Sequence, residues 1–492
     1  PKDRFLSAGE AMTVEALDDL TVRFTLNAPK PGLLAQFATD YAQPFQPSHL
    51  LSQFHPGANA DADALAASVG MESGYDVVNL YYGQSDWKDV PQPILKNPAV
   101  AAALVEAGFT AVAPTLESHI VIEDTLEGRH LVANPYFFMV DTAGNQLPYI
   151  NEIDEVYMPD EDVRVATMIA GDIDYKSQSV NLDVAPALLQ NAEAGDYAVE
   201  LRPTIGMPVV SFNLTAADEE KRAVFNDINF RQAMSHAINR DQINELAFFG
   251  LGAPTQYTAF DADTAPFVSE ELRTAFTSFD AEGAAALLDA AGVVDADNDG
   301  DRDLPSGAEF TLQIQFSTQG VPTTVAEIVA QNFSDAGITT TIKEVTSDEY
   351  RAAQSANELD VHIWNKGEPL AVFLGDVSEL TPPYSSYFGH RNGMLWAQED
   401  SGVAAPATTV EMAELAAEFT TVEAGSDRSN ELGAAIASKT VEDLFFIGTV
   451  KAQAPIYAHN NLKNFRTPNT WSYAYYRVFP YLPVQWSLGE GN

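Results

Sequence analysis

Phe310–Val345 reads FTLQIQFSTQGVPTTVAEIVAQNFSDAGITTTIKEV, and this stretch decides the fold class. Phe310 to Phe316 alternates apolar and polar residues, the period of a strand with one face buried. Thr323 to Ala336 carries apolar residues at helical spacing and stops at Gly337. Ile338 to Val345 returns to strand character. Strand, helix and strand at this spacing make a βαβ unit, whose two strands are expected side by side and parallel.

The same texture continues outward. Ala281 to Ala291 reads as a helix ending at Gly292. Asp348 to Ala356 reads as a helix and Leu359 to Trp364 as a strand. Two more helices are expected near Val410 to Phe419 and Asn430 to Leu444. Upstream, Val209 to Leu214 is a compact strand followed by a helix pair. Asp227 caps the first helix, with Phe230, Met234, Ala237 and Ile238 on one face. Asp241 caps the second, which ends at Gly250. Asp160 caps a helix to Ala170, stopped by Gly171. Val14 to Asn27 reads as a turn and a strand, and the prolines Pro29, Pro31, Pro44 and Pro47 interrupt regular structure beyond it. Asp61 to Ala67 and Asn97 to Ala107 read as short helices in a loop-rich region. Phe445 onward has strand character.

At ~150 residues per domain, 492 residues suggest about three domains. Hydrophobic residues make up 46%, enough for a packed core. No apolar run approaches the ~18 residues that cross a bilayer. The formal net charge is −44, with the acids spread along the chain. Nucleic acid and anionic membrane surfaces are therefore disfavoured as partners, because both need a basic footprint. Cysteine is absent, which removes disulfides, thiolate zinc sites and cysteine nucleophiles. The chain starts Pro1-Lys2-Asp3, without methionine or signal peptide, so an N-terminal truncation is expected.

Signatures of catalysis are missing: no HExxH, no GxSxG and no Walker loop occurs. The histidines are scattered, and His236 and His362 read as packed or surface residues. One local motif carries metal chemistry. Asp295-Ala296-Asp297-Asn298-Asp299-Gly300-Asp301-Arg302-Asp303 has the DxDxDG spacing of a calcium loop, in which alternate oxygens converge on a cation. Asp295, Asp297, Asp299, Asp301 and Asp303 are its candidate ligands, with Asp295, Asp297 and Asp299 expected to hold one structural calcium. Ser306 stands where such loops carry a bidentate Glu, and an ion-free acidic turn is the alternative. No cofactor is required.

Several runs resemble the extracytoplasmic solute-binding proteins of ABC importers, in the peptide/nickel/oligosaccharide branch called family 5. They are VEALDDLTVRFTLNAPKPGLL (14–34), QPSHLLSQFHP (46–56), NPYFFMVDTAGNQLPYINEI (134–153) with AGDID (170–174), and FNDINFRQAMSHAINRDQINELAFFGLGAP (225–254). They occur in family order, and similarity continues to Asn464. The resemblance implies an α/β, type II periplasmic-binding-protein fold, with two lobes, a cleft and an extra subdomain. It places a subdomain of lobe one at 1–125, lobe one at 126–208 and 451–492, and lobe two at 209–450.

For function, the resemblance implies a monomeric bacterial protein, periplasmic or otherwise extracytoplasmic. It would deliver a peptide or oligosaccharide to an ABC transporter permease and perform no catalysis. Peptide binders of the family carry an Asp after a Trp-containing strand, which holds the ligand's amine. Here the run is Trp364-Asn365-Lys366-Gly367-Glu368-Pro369. The Asp is missing, Lys366 would repel an amine, and Glu368 is the remaining carboxylate.

The aromatics Trp364, Tyr384, Tyr387 and Trp396 are the candidate stacking surfaces, with Trp364 and Trp396 as the chief grip. Asn365 and Lys366 are candidate donors, and Phe212 and Asn213 complete the candidate set. Trp364 is expected to end its strand and point into a crevice, since ligands in α/β sheets bind beyond the carboxyl ends of strands. A secreted carboxylate hydrolase of glycosides or peptides is the alternative, and a calcium-dependent interaction module a third.

Overall fold

The computed structural model describes residues 6–7, 10–34, 37, 46–82, 95, 97–178, 180–373, 403, 406–467, 469–472 and 483–489. The chain divides into two compact units. One comprises Pro1–Thr39, Leu201–Ala454 and Asn469–Ala474; the other comprises Asp40–Glu200, Pro455–Pro468 and Tyr475–Asn492.

The larger unit is built on a five-stranded sheet. Its strands are β1 (Met207–Phe212), β2 (Thr311–Phe316), β3 (Thr339–Glu344), β4 (Val361–Lys366) and β5 (Ile447–Gly448), in the order β3-β2-β4-β1-β5. β2 and β3 pair in parallel over six positions, Thr311 with Thr339 through Phe316 with Glu344. The expected βαβ unit is therefore present. Its connecting helix, Thr323–Asp335, buries Val325, Ala326, Val329, Ala330 and Phe333 along one stripe. β4 also runs parallel to β2, whereas β1 is antiparallel to both β4 and β5.

β1 is buried at every position. A central strand covered on both faces reads as a continuous apolar run, as Met207-Pro208-Val209-Val210 does. Phe212 ends this strand in an aromatic cluster, with ring centroids 5.0 Å from Phe230, 5.4 Å from Phe225 and 6.0 Å from Phe333. Burying each such ring contributes roughly 1.5–3 kcal/mol.

The helix pair begins at α1 (Ile228–Ala237), capped by Asp227, whose side chain accepts from Asn229 N. The second helix, α2 (Arg240–Phe248), is capped by Asn239 rather than Asp241, and its left-handed residue is Phe249, ahead of Gly250. Asn239 Oδ1 reaches Gln242 N, so the helix starts one residue before the acid the sequence suggested. Arg240 is buried and donates to Gly448 O, Ser235 O, Thr277 O and Ser235 Oγ. It thereby links β5 to the helix pair.

The smaller unit has a core of Met168, Val180, Leu188, Tyr197 and Tyr457. The helix Glu161–Ala170 is capped by Asp160, as expected. Gly171 stops it at φ 82°, where a Cβ would fall 2.3 Å from Gly195 O. A helical stretch beginning near Ser48 has its own core of Leu50, Phe54, Val77, Tyr81 and Leu104, reaching Ala113.

Two of the borders between the units lie in described residues. The first falls at Glu200/Leu201, because Thr204 N bonds Ala452 O and Ile205 N bonds Trp471 O, which keeps residues 204–205 in the larger unit. The second falls at Ala454/Pro455. Residues up to Thr39 group with the larger unit, so the stretch 1–125 is divided between the two.

Candidate functional site

The carboxyl ends of β2 and β4 lie next to each other, and the ladder between them opens there. β4 pairs with β2 at Ile314↔Val361. Two residues on, Ile363 bonds a side chain instead: its N–H donates to Tyr350 Oη at 3.2 Å. At Asn365 the backbone N–H reaches Gly320 O, 2.9 Å away, in the turn that succeeds β2. Tyr350 thus fills the gap between two strand ends.

The local sequence explains how Tyr350 arrives there. Thr346 and Glu349 form a capping box that starts the helix Ser347–Ser355. Tyr350 comes one residue later and points inward, 1% exposed. Its hydroxyl proton goes to His362 Nδ1 at 2.7 Å or to Ile363 O at 3.2 Å. Burial, with the Lys366 charge second, pushes the His362 pKa down to about 3. The imidazole is therefore neutral. Tyr350 Oη at 2.7 Å and Gln354 Nε2 at 3.4 Å both face its Nδ1. Burial raises the Tyr350 pKa well above the ordinary phenol value, so the hydroxyl stays protonated.

Trp364 packs on this arrangement. Its ring is stacked on Tyr350, with centroids 4.9 Å apart and planes 29° apart. The Arg351 guanidinium lies 5.8 Å from the indole centroid. Gly320 touches the benzo ring: a Cβ there would fall 2.2 Å from Trp364 Cε3. Trp364 is consequently a clamped, half-buried wall rather than a free plate. Nor does it end its strand. β4 continues to Lys366, because Asn365 and Lys366 pair with Pro208 and Met207 of β1.

The other candidates divide. Asn365 is exposed at the same end, beside Trp364. Lys366 is buried, with Nζ 4.6 Å from the Phe446 ring centroid, so its charge is turned inward. Glu368 is buried as well. Phe212 and Asn213 belong to the opposite end of β1, with Phe212 three residues and about 10 Å from Val209, the register partner of Trp364. Phe212 is core. Asn213 Nδ2 donates to Asn357 Oδ1 and Leu359 O, and its Oδ1 accepts from Thr215 N. Both side chains are occupied inside the unit. Tyr384, Tyr387 and Trp396 lie outside the described residues.

A small cavity of about 40 Å³ opens past β4, lined by Ile205, Met207, Tyr257, Asp261, Gly367 and Lys451. A larger one, about 650 Å³, lies away from this end, against Phe279, Asp289, Asp295 and Arg302. Size alone would favour the second. The first is favoured by position at the strand ends and by the polar groups there.

The acidic loop brings Asp295, Asp297 and Asp303 together, with one carboxylate oxygen from each within 4.8 Å of the others. Asp299 is not in this group; its Oδ1 accepts from Asp301 N. Asp301 turns to Thr339, whose Oγ1 donates to it. The loop reverses through Asn298 (φ 66°) and Gly300 (φ 107°), and the bridge Val294↔Asp303 carries Asp303 back onto its start. Ser306, at the twelfth position, is tied to Glu220 of a helix instead.

The family of bacterial extracellular solute-binding proteins, family 5, middle part, matches residues 126–371, half of the chain. The chain belongs to this family. Over 135 residues the family-5 chain is 34% identical to a probable ABC transporter-binding protein of Deinococcus radiodurans, covering 26% of this chain and 22% of that protein. Over 318 residues it is 25% identical to the periplasmic alpha-galactoside-binding protein of Rhizobium meliloti, covering 61% and 39%. These matches therefore span well under half of either relative.

Among solved structures, the oligopeptide-binding protein OppA is 25% identical with a TM-score of 0.64, covering 97% of this chain and 75% of that one. MelB of Agrobacterium fabrum C58, in complex with stachyose, is 19% identical with a TM-score of 0.70, covering 99% and 68%. The fold of this family-5 chain is that of the type II periplasmic binding proteins. Among the described residues, no helix is long and apolar enough to cross a membrane.

Proposed function

We propose that this chain is the extracytoplasmic capture component of an ABC importer, binding an oligopeptide or oligosaccharide as a monomer and performing no chemistry on it. Family membership supports the class. The observation that carries the site is the end of β4, where Trp364 stands rigid beside exposed Asn365 while Lys366 and Glu368 are buried. A wall and an amide suit a neutral ligand: the indole supplies apolar contact and Asn365 both donates and accepts. OppA and the alpha-galactoside-binding protein support peptide and sugar ligands respectively.

Calorimetric titration with stachyose and with the peptide Ser-Thr-Ser-Ala tests the reading, with product analysis of the same mixtures. Saturable binding with both solutes recovered intact is expected. Cleavage of either solute would overturn it in favour of the hydrolase.

A structural calcium at Asp295, Asp297 and Asp303 is proposed alongside. Its support is the convergence of three carboxylates that repel one another without a cation.

A further inference from the structure

The opening between β2 and β4 bears on how Trp364 is held. β4 keeps β1 on one side through Lys366, but on the β2 side the ladder stops, and both polar groups of Ile363 face that gap. Tyr350 Oη accepts from Ile363 N–H and lies 3.2 Å from Ile363 O. One hydroxyl therefore stands in for a rung of the sheet. The same residue's ring lies against the indole one position further along the strand, 4.9 Å between centroids. Its own position is fixed from three sides. The capping box of Thr346 and Glu349 sets the helix start, Tyr350 N bonds Thr346 O, and His362 Nδ1 meets the hydroxyl at 2.7 Å. Tyr350 is 1% exposed, so it has no surface to offer a ligand.

We propose that Tyr350 is the positioning residue of the binding site. By pinning Ile363 through its hydroxyl and Trp364 through its ring, it fixes the strand end and the indole in one geometry, and so governs affinity without touching the solute. This inference rests on Trp364 forming part of the site. The physical ground is preorganisation: a side chain already held in its bound orientation loses little entropy when a ligand arrives. A buried aromatic pair with a satisfied hydroxyl is a stiff way to hold it.

The test is a double-mutant cycle on the full chain, with stachyose and Ser-Thr-Ser-Ala as probes. Tyr350→Phe keeps the ring and removes the hydroxyl; Tyr350→Leu removes the ring. Each is made with Trp364 present and in a Trp364→Ala background. With Trp364 present, Tyr350→Leu should weaken binding about three- to tenfold, and Tyr350→Phe by a smaller factor. In the Trp364→Ala background neither should weaken it further.

Equal losses in both backgrounds would mean that Tyr350 acts on the fold alone, and overturn the inference. Binding left unchanged by Tyr350→Leu would do the same. If Trp364→Ala itself leaves affinity intact, the assignment of Trp364 to the site fails first, and this inference fails with it. A second readout needs no ligand. Acrylamide quenching assigned to Trp364, as the difference between each protein and its Trp364→Phe counterpart, should rise in Tyr350→Leu. Unchanged quenching would overturn the inference. Melting curves identify any variant that has lost its fold, in which case Tyr350→Phe carries the cycle.

Discussion

The indole of Trp364 stacks on the ring of Tyr350 at 4.9 Å and 29°, and Gly320 closes on its benzo ring. Trp364 is thus gripped by two other elements, the turn after β2 and the helix before β4. We propose that its remaining, half-exposed surface meets the solute. Trp364→Ala should weaken solute binding by at least about 1 kcal/mol, the scale of an aromatic anchor. Titration of the variant against wild type measures this, and equal affinities would remove Trp364 from the site.

Gly320→Ala adds a methyl that would sit 2.2 Å from Trp364 Cε3. The indole must move, at a cost of roughly 1–3 kcal/mol for overpacking. A lowered melting temperature and a shifted tryptophan emission spectrum are expected. An unchanged spectrum would mean the clamp yields elsewhere.

Arg240 is a buried cation whose guanidinium donates to five oxygens on three segments. Arg240→Met fills much of the volume but leaves those carbonyls without their donor, each at roughly 1–3 kcal/mol when buried. A total loss above about 3 kcal/mol in chemical denaturation is expected. A loss below about 1 kcal/mol would show that water or rearrangement replaces the guanidinium.

His362 sets a pH dependence. Its folded pKa is about 3, below the ordinary 6.5, so protonation favours the unfolded chain. The penalty is absent above pH 6.5 and grows as pH falls from 6.5 toward 3. Relative to wild type, His362→Gln should show a flatter fall of melting temperature across that window. The many carboxylates contribute equally to both proteins and cancel in the comparison. Parallel curves would contradict a neutral buried imidazole.

Calcium should stabilise the protein through Asp295, Asp297 and Asp303. At about a hundredfold excess over its Kd the gain is ~2.7 kcal/mol, read as a rise in melting temperature. Asp303→Asn should reduce the rise, whereas Asp299→Asn should leave most of it. The reverse order would restore Asp299 as the ligand.

Local order was legible in the sequence of this protein. The βαβ unit, the caps at Asp160 and Asp227 and the stop at Gly171 arise from periodicity and from side chains reaching their own backbone. These depend on neighbours within a few residues, and the family-5 motifs added the class of fold. The proposed site was legible only in part. Trp364 and Asn365 were visible as an aromatic and an amide at a strand end, but nothing near Tyr350 or Gly320 marked them as the two sides of a clamp.

The tertiary structure decided the features that depend on long-range contact. It alone turns Lys366 onto Phe446, puts Phe212 in the core and replaces Asp299 by Asp303 in the acidic cluster. It also continues β4 past Trp364, because β1, more than 150 residues earlier, supplies the partners for Asn365 and Lys366. Sequence determines which way a residue faces along its own element; only the packed neighbours determine what that face meets.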